Sequence, residues 1–264
     1  MSRFQRRAIF VFLASALVLW SVPAFAQSAA DRLSDRDVKK LIDQVDEGRD
    51  KFEGNLEHEV KNSTVRGPNG ETKVSNLLQD YQDNTKKLQD RFNDTDAAAA
   101  EVTTVLKQAL AIDGFMQRAS SVMKGRREWD IEVASLKHLA QAYGVTFPLR
   151  EGAVARRMND KETASAAEAI EKAADRFKDD LDQTSTIAKP DREAAKKDVE
   201  LLMRLAETVK DRVGDGNPAM NEARQLLEQA ARVQTFVNAH QIPAMANWQT
   251  VQASLQQVRR AFGL

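Results

Sequence analysis

The feature that most constrains this chain is that it states one pattern twice. Trp129 opens W-x-x-x-x-A-S-L-x-x-L-x-x-A-Y-G, which ends at Gly144. Trp248 opens W-x-x-x-x-A-S-L-x-x-V-x-x-A-F-G, which ends at Gly263. A shared heptad aligns apolar residues by chance, but it does not also align a Trp, an Ala-Ser-Leu triplet and a closing Gly. The earlier segments recur in the same order. Leu33-Ser34-Asp35-Arg36-Asp37 matches Met158-Asn159-Asp160-Lys161-Glu162, and Asp50-Lys51-Phe52 matches Asp175-Arg176-Phe177, both at a spacing of 125. Leu88, Asp90, Arg91 and Phe92 match Val209, Asp211, Arg212 and Val213 at a spacing of 121, and the Trp segments lie 119 apart.

Each copy carries four amphipathic stripes at helical spacing. The first holds Val38, Leu41, Ile42, Val45, Phe52 and Leu56, and the second Val74, Leu77, Leu78, Tyr81, Leu88 and Phe92. The third holds Val102, Val105, Leu106, Ala109, Ile112 and Met116, and the fourth runs from the Trp to the aromatic-Gly pair. Ser34 with Asp37, and Asn159 with Glu162, predict a capping box at the start of each copy. Asn217-Pro218 predicts the start of the third helix of the second copy. Gly144 and Gly263 predict left-handed C-terminal caps. The expected fold is therefore all-α: a tandem duplication of an antiparallel four-helix bundle, about eight helices, after a cleaved signal peptide. The units would span 27–146 and 147–264, with residues 145–158 as the junction. A single eight-helix domain that exchanges helices between copies is the other arrangement such a repeat allows.

Residues 1–26 have the pattern of an export signal. Arg3, Arg6 and Arg7 form a positive stretch, Ala8 to Trp20 is apolar, and Ala24-Phe25-Ala26 is an A-x-A cleavage pattern. Cleavage after Ala26 would leave Gln27 at the terminus and place the product in the periplasm or outside the cell. The apolar run falls short of the roughly 20 residues that span a bilayer, so no transmembrane anchor is expected after processing. Arg6-Arg7 also loosely fits the twin-arginine pattern, while the strongly apolar run suits the general secretory route.

Composition narrows the chemistry. The chain has 39 Lys+Arg, 39 Asp+Glu and no Cys. Removing three Arg with the signal leaves 36 − 39 = −3, which argues against nucleic acid as a partner. No disulfide, thiolate metal site or Cys nucleophile is available. His58, His138 and His240 each stand alone, with none of the i, i+3 or i+4 pairing that a metal site on a helix needs, so no metal and no cofactor is expected. His58 falls near the end of the first stripe. No G-x-S-x-G, Walker or dinucleotide glycine pattern occurs, and Ser135 and Ser254 lie mid-helix as small packing residues. No catalytic residue is assigned, and the expected role is non-catalytic: binding or scaffolding in the cell envelope. An enzyme with its site between the two units, or a small-ligand carrier, are the alternatives.

Two departures from the repeat mark candidate binding residues. The connection between the first two helices is four residues longer in the first copy, since Phe52 to Phe92 spans 40 and Phe177 to Val213 spans 36. It carries Arg66, Asn69 and Lys73 around an Asn69-Gly70 turn signal. The second departure is Lys124-Gly125-Arg126-Arg127, replaced in the second copy by the uncharged Ile242-Pro243-Ala244-Met245-Ala246. Arg66, Asn69, Lys73, Lys124, Arg126 and Arg127 are therefore the candidate surface. An anionic envelope component, or another protein, would be its partner. The first and third connections of an up-and-down bundle emerge at one end, so the two features are expected to be neighbours.

Overall fold

The computed structural model describes residues 32–67, 70–119, 123–242 and 245–264. The signal segment 1–26 and Asn69 lie outside these residues. The described chain is all-α apart from one hairpin, with nine helices. They are α1 (Asp35–Asn55), α2 (His58–Asn62), α3 (Val74–Thr95), α4 (Ala99–Arg118), α5 (Arg126–Ala142), α6 (Asp160–Gln183), α7 (Lys189–Gly214), α8 (Met220–Ala239) and α9 (Ala246–Phe262). Strands β1 (Thr64–Gly67) and β2 (Gly70–Lys73) pair antiparallel between α2 and α3. No helix among the described residues is long and apolar enough to cross a membrane.

Packing follows the stripes. Neighbouring helices close into two circuits, α1–α3–α4–α5 and α6–α7–α8–α9. Each encloses its own apolar core, one containing Val45, Phe52, Leu88, Leu106 and Trp129, the other Ile170, Phe177, Val209, Leu226 and Trp248. Phe52 lies 4.9 Å from Trp129, and Phe177 lies 5.0 Å from Trp248. The polar contacts recur with the apolar ones. The Trp129 indole donates to Asp113 Oδ1 at 3.0 Å, and the Trp248 indole to Gln234 Oε1 at 2.7 Å. Gln108 donates to the carbonyl of Leu77, and Gln229 to that of Asp198.

The caps follow from local chemistry. Asn159 and Glu162 form a complete capping box, each side chain taking the other's backbone N–H. Ser34 accepts from the Asp37 N–H, but Asp37, one methylene shorter than Glu, receives the Ser34 hydroxyl instead of the Ser34 N–H. Gly144 and Gly263 take φ of +68° and +66°, past the ends of α5 and α9, where a Cβ would be strained. The next N–H turns back in each case, Val145 to the Ala140 carbonyl and Leu264 to the Arg259 carbonyl.

Three local expectations are corrected. The first stripe does not run unbroken to His58: α1 ends at Asn55, and His58 begins the separate α2, where its ring contacts Asn62 Nδ2. Asn217-Pro218 does not start α8. Asn217 instead returns its N–H to the Arg212 carbonyl behind a left-handed Gly216, closing α7, and α8 begins at Met220. The Trp helices begin before their Trp, at Arg126 and Ala246. The Asn69-Gly70 turn signal falls where the chain forms the β1–β2 hairpin, whose last described pair is Gly67 with Gly70.

Candidate functional site

The hairpin exists because β-branched Thr64, Val65 and Thr72 favour extended backbone and Gly70, at φ +110°, permits the sharp return. Arg66 sits opposite Glu71, and Lys73 opposite Thr64. Arg66 and Lys73 are exposed. Only Val65 of the pair leans on the core of the first circuit. The corresponding α6–α7 connection has no strands, and α7 follows directly after residues 184–188.

The basic turn lies against the same corner of the chain. Gly125 has φ of +86°, and a Cβ there would approach the Leu56 side chain to 3.2 Å. Lys124 pairs with Glu57 at 3.0 Å, immediately ahead of α2 and the hairpin. The structure thus brings the turn to the residues that lead into the hairpin. Arg126 is committed locally: its guanidinium donates to the Met116 carbonyl and lies 3.7 Å from Asp130. Arg127 is exposed. Of the six candidates, Lys124 and Arg126 secure the turn, whereas Arg66, Lys73 and Arg127 face solvent.

Inside the first core lies a polar cluster that was not expected from the sequence. Glu132 on α5 is fully buried, and one of its oxygens receives the hydroxyl of buried Tyr81 on α3. Its other oxygen, Oε2, has no hydrogen-bond partner and occupies the space where a Cβ of residue 48 would stand, which Gly48 leaves open. Buried Arg49, next along α1, reaches Asp46 at 2.8 Å, Asp50 at 2.6 Å, the Gln82 carbonyl at 3.2 Å and the Thr85 hydroxyl. Burial pushes the Glu132 carboxyl up to about 8, against the Tyr81 hydrogen bond and the Arg49 charge, which lower it. Burial, with the adjacent Glu132, also raises Tyr81 well above its ordinary value. At the matching positions the second core holds Val251, Leu202, Ala173, Ala174 and Ala206, so the whole cluster is confined to one core.

The signal for this cluster was present in the spacing. Val38, Ile42, Val45, Arg49 and Phe52 keep one core-facing rhythm, as do Trp129, Glu132, Leu136 and Leu139. Charged residues standing at core positions are the trace. Among the described residues, no three His, Asp or Glu side chains gather as a metal cage requires. His138 is exposed on α5, and His240 closes α8 with its ring 4.4 Å from that of Phe236. Comparison with protein-family models, curated proteins and solved structures finds no match for this chain.

Proposed function

We propose that this chain is an exported tandem duplication of an antiparallel four-helix bundle that acts as a non-catalytic binding or scaffolding protein of the cell envelope. The two circuits of helices support the duplication, as do the matched Trp–Phe contacts and the matched indole and glutamine hydrogen bonds. In this reading the units are 27–146 and 147–264, and export follows from the signal pattern of residues 1–26.

The observation that carries the binding role is the hairpin. With the short α2 before it, it is an addition that the bundle plan does not need, since the second circuit makes the same connection without either. Lys124 of the basic turn pairs with Glu57, ahead of α2 and the hairpin, and binding contacts concentrate on such loops carried by a rigid scaffold. Arg66, Lys73 and Arg127 would meet an anionic envelope component, with Lys124 and Arg126 holding the turn in register; Asn69, the sixth candidate, lies outside the described residues.

The test is co-sedimentation of the purified protein with isolated envelope fragments. One variant replaces residues 64–73 with a short Gly-Ser turn, and another carries Lys124→Ser, Arg126→Ser and Arg127→Ser. Loss of co-sedimentation in both, with helical circular dichroism retained, supports the hairpin surface. Undiminished co-sedimentation by both removes it. Recovery of a chain that still carries residues 1–26 overturns cleavage after Ala26 and returns a membrane-anchored reading.

A further inference from the structure

At the start of α6, cations from three separate segments face one open groove of about 720 Å³. Arg156 comes from the segment between α5 and α6, Lys161 from the first turn of α6 and Arg260 from the last turn of α9. All three are exposed, and among the described residues no carboxylate lies within ion-pair distance of any of them. Gln257 and Ser165 add an amide and a hydroxyl to the lining.

Of the groove's two other charges, Arg157 is paired, while Glu162 keeps its negative charge and leaves one acid against three exposed cations. Arg157 is bound to Asp35 at 2.5 Å. Glu162, the single acid of the lining, accepts the Asn159 N–H at 3.0 Å as part of the α6 cap. Three like charges gathered on one concavity repel, and an anion entering it relieves all three. The arrangement belongs to the second unit alone, because the residues matching Gln257 and Arg260 in the first are His138 and Gln141.

We propose that this groove binds a phosphoryl group carried on a larger molecule. A phosphoryl dianion presents three terminal oxygens and can engage two guanidinium forks and an ammonium together. A single carboxylate carries one negative charge and one oxygen fewer, and it balances the three cations less well. The groove is several times larger than a phosphate, which leaves room for the body that carries it. That body is either a small soluble molecule or a lipid whose headgroup enters the groove. This site is independent of the hairpin surface proposed above.

The probes are glycerol 3-phosphate, followed by calorimetry, and vesicles of phosphatidic acid in phosphatidylcholine, followed by co-sedimentation against phosphatidylcholine alone. Saturable binding of either probe is expected, and the responding probe identifies the source of the phosphoryl group. Lys161→Gln and Arg260→Gln should each weaken it at least about tenfold, roughly 1.4 kcal/mol. Both residues are exposed, so neither change threatens folding. Lys107→Gln, an exposed change on α4 outside both proposed surfaces, should leave it unchanged. Absence of saturable binding to both probes, or binding that survives Lys161→Gln and Arg260→Gln undiminished, overturns the proposal.

Discussion

Asp35 and Asp160 each accept the other's backbone N–H, at 2.8 Å in both directions, so the first residues of α1 and α6 hydrogen-bond reciprocally. The flanking arginines repeat the exchange. Arg32 reaches Asp160 at 2.5 Å and the Met158 carbonyl at 2.9 Å, while Arg157 reaches Asp35 at 2.5 Å and the Leu33 carbonyl at 2.9 Å. Every contact has a partner 125 residues away, the relationship expected of a two-fold axis inside one chain. The carboxylates thus serve as N-terminal anchors for the opposite helix, where negative charge is favourable.

Asp35→Ala and Asp160→Ala should therefore cost nearly the same stability. Each strands a largely buried arginine and a helix N–H, which amounts to about 2–4 kcal/mol. The first loss loosens the docking of one helix start on the other, so the second removes a contact already weakened, and the double variant should fall short of the sum of the two. Denaturant midpoints for the four-member cycle provide the check. Strictly additive losses would show that the two carboxylates act separately.

Stability should fall as pH rises from about 4.5 to about 8, through the first core. Glu132 is held protonated there up to about 8 by burial, whereas in the unfolded chain it ionises near 4.5. Between these values the native state binds more protons than the unfolded state, so its contribution is complete below the lower value and is lost through the upper one. A gap of that size is worth up to about 5 kcal/mol. The groups facing it are Tyr81 from α3 and Arg49 and Asp46 from α1. Glu132→Gln keeps the Tyr81 hydrogen bond without the charge, and it should flatten the slope. An unchanged pH profile in that variant places the dependence elsewhere.

Gly48→Ala should destabilise the first core, although helix interiors ordinarily prefer Ala. The added methyl collides with Glu132 Oε2, and overpacking of this kind costs about 1–3 kcal/mol. Combining it with Glu132→Val recreates the Ala173 and Val251 pair of the other core, and should recover part of the loss, the remainder reflecting the Tyr81 hydroxyl left without its acceptor. Equal melting temperatures for wild type and Gly48→Ala would mean that Glu132 moves aside without cost.

What could be read from the chain and what could not divide along physical lines. Phe52, Trp129, Phe177 and Trp248 were legible because burial of large apolar groups imposes a rhythm that any helix must keep. Gly144 and Gly263 were legible because a left-handed residue narrows the choice to one side chain. Arg49 and Glu132 were hidden because a charge is ordinarily assigned to the solvated face, and only three-dimensional pairing with Asp46 and Tyr81 makes a core position tolerable. The groove around Arg156, Lys161 and Arg260 was not legible at all. Its members stand up to 104 residues apart, and only the packing of α6 against α9 brings them together.

Trp129→Ala and Trp248→Ala should each loosen their own circuit of helices, and the first change should cost more. Removing a packed Trp typically costs about 3–5 kcal/mol, because the cavity left behind collapses only in part. Trp129 additionally satisfies Asp113, a buried carboxylate whose other oxygen is already used by Gln117 at 2.6 Å. Losing the indole N–H leaves Asp113 Oδ1 unpaired, which adds about 1–3 kcal/mol. Trp248 is bonded to the neutral Gln234, which Gln252 also reaches, so the acceptor keeps a donor when the indole is gone. Hydrogen exchange separates the two effects. In Trp129→Ala, protection should fall in α1, α3, α4 and α5 while α6 to α9 hold, and Trp248→Ala should show the reverse with a smaller loss. Uniform loss of protection across the eight helices of the two circuits in either variant would show that the two cores unfold as one unit, and that the reciprocal contacts of Asp35 and Asp160 couple them more tightly than their separate packing implies.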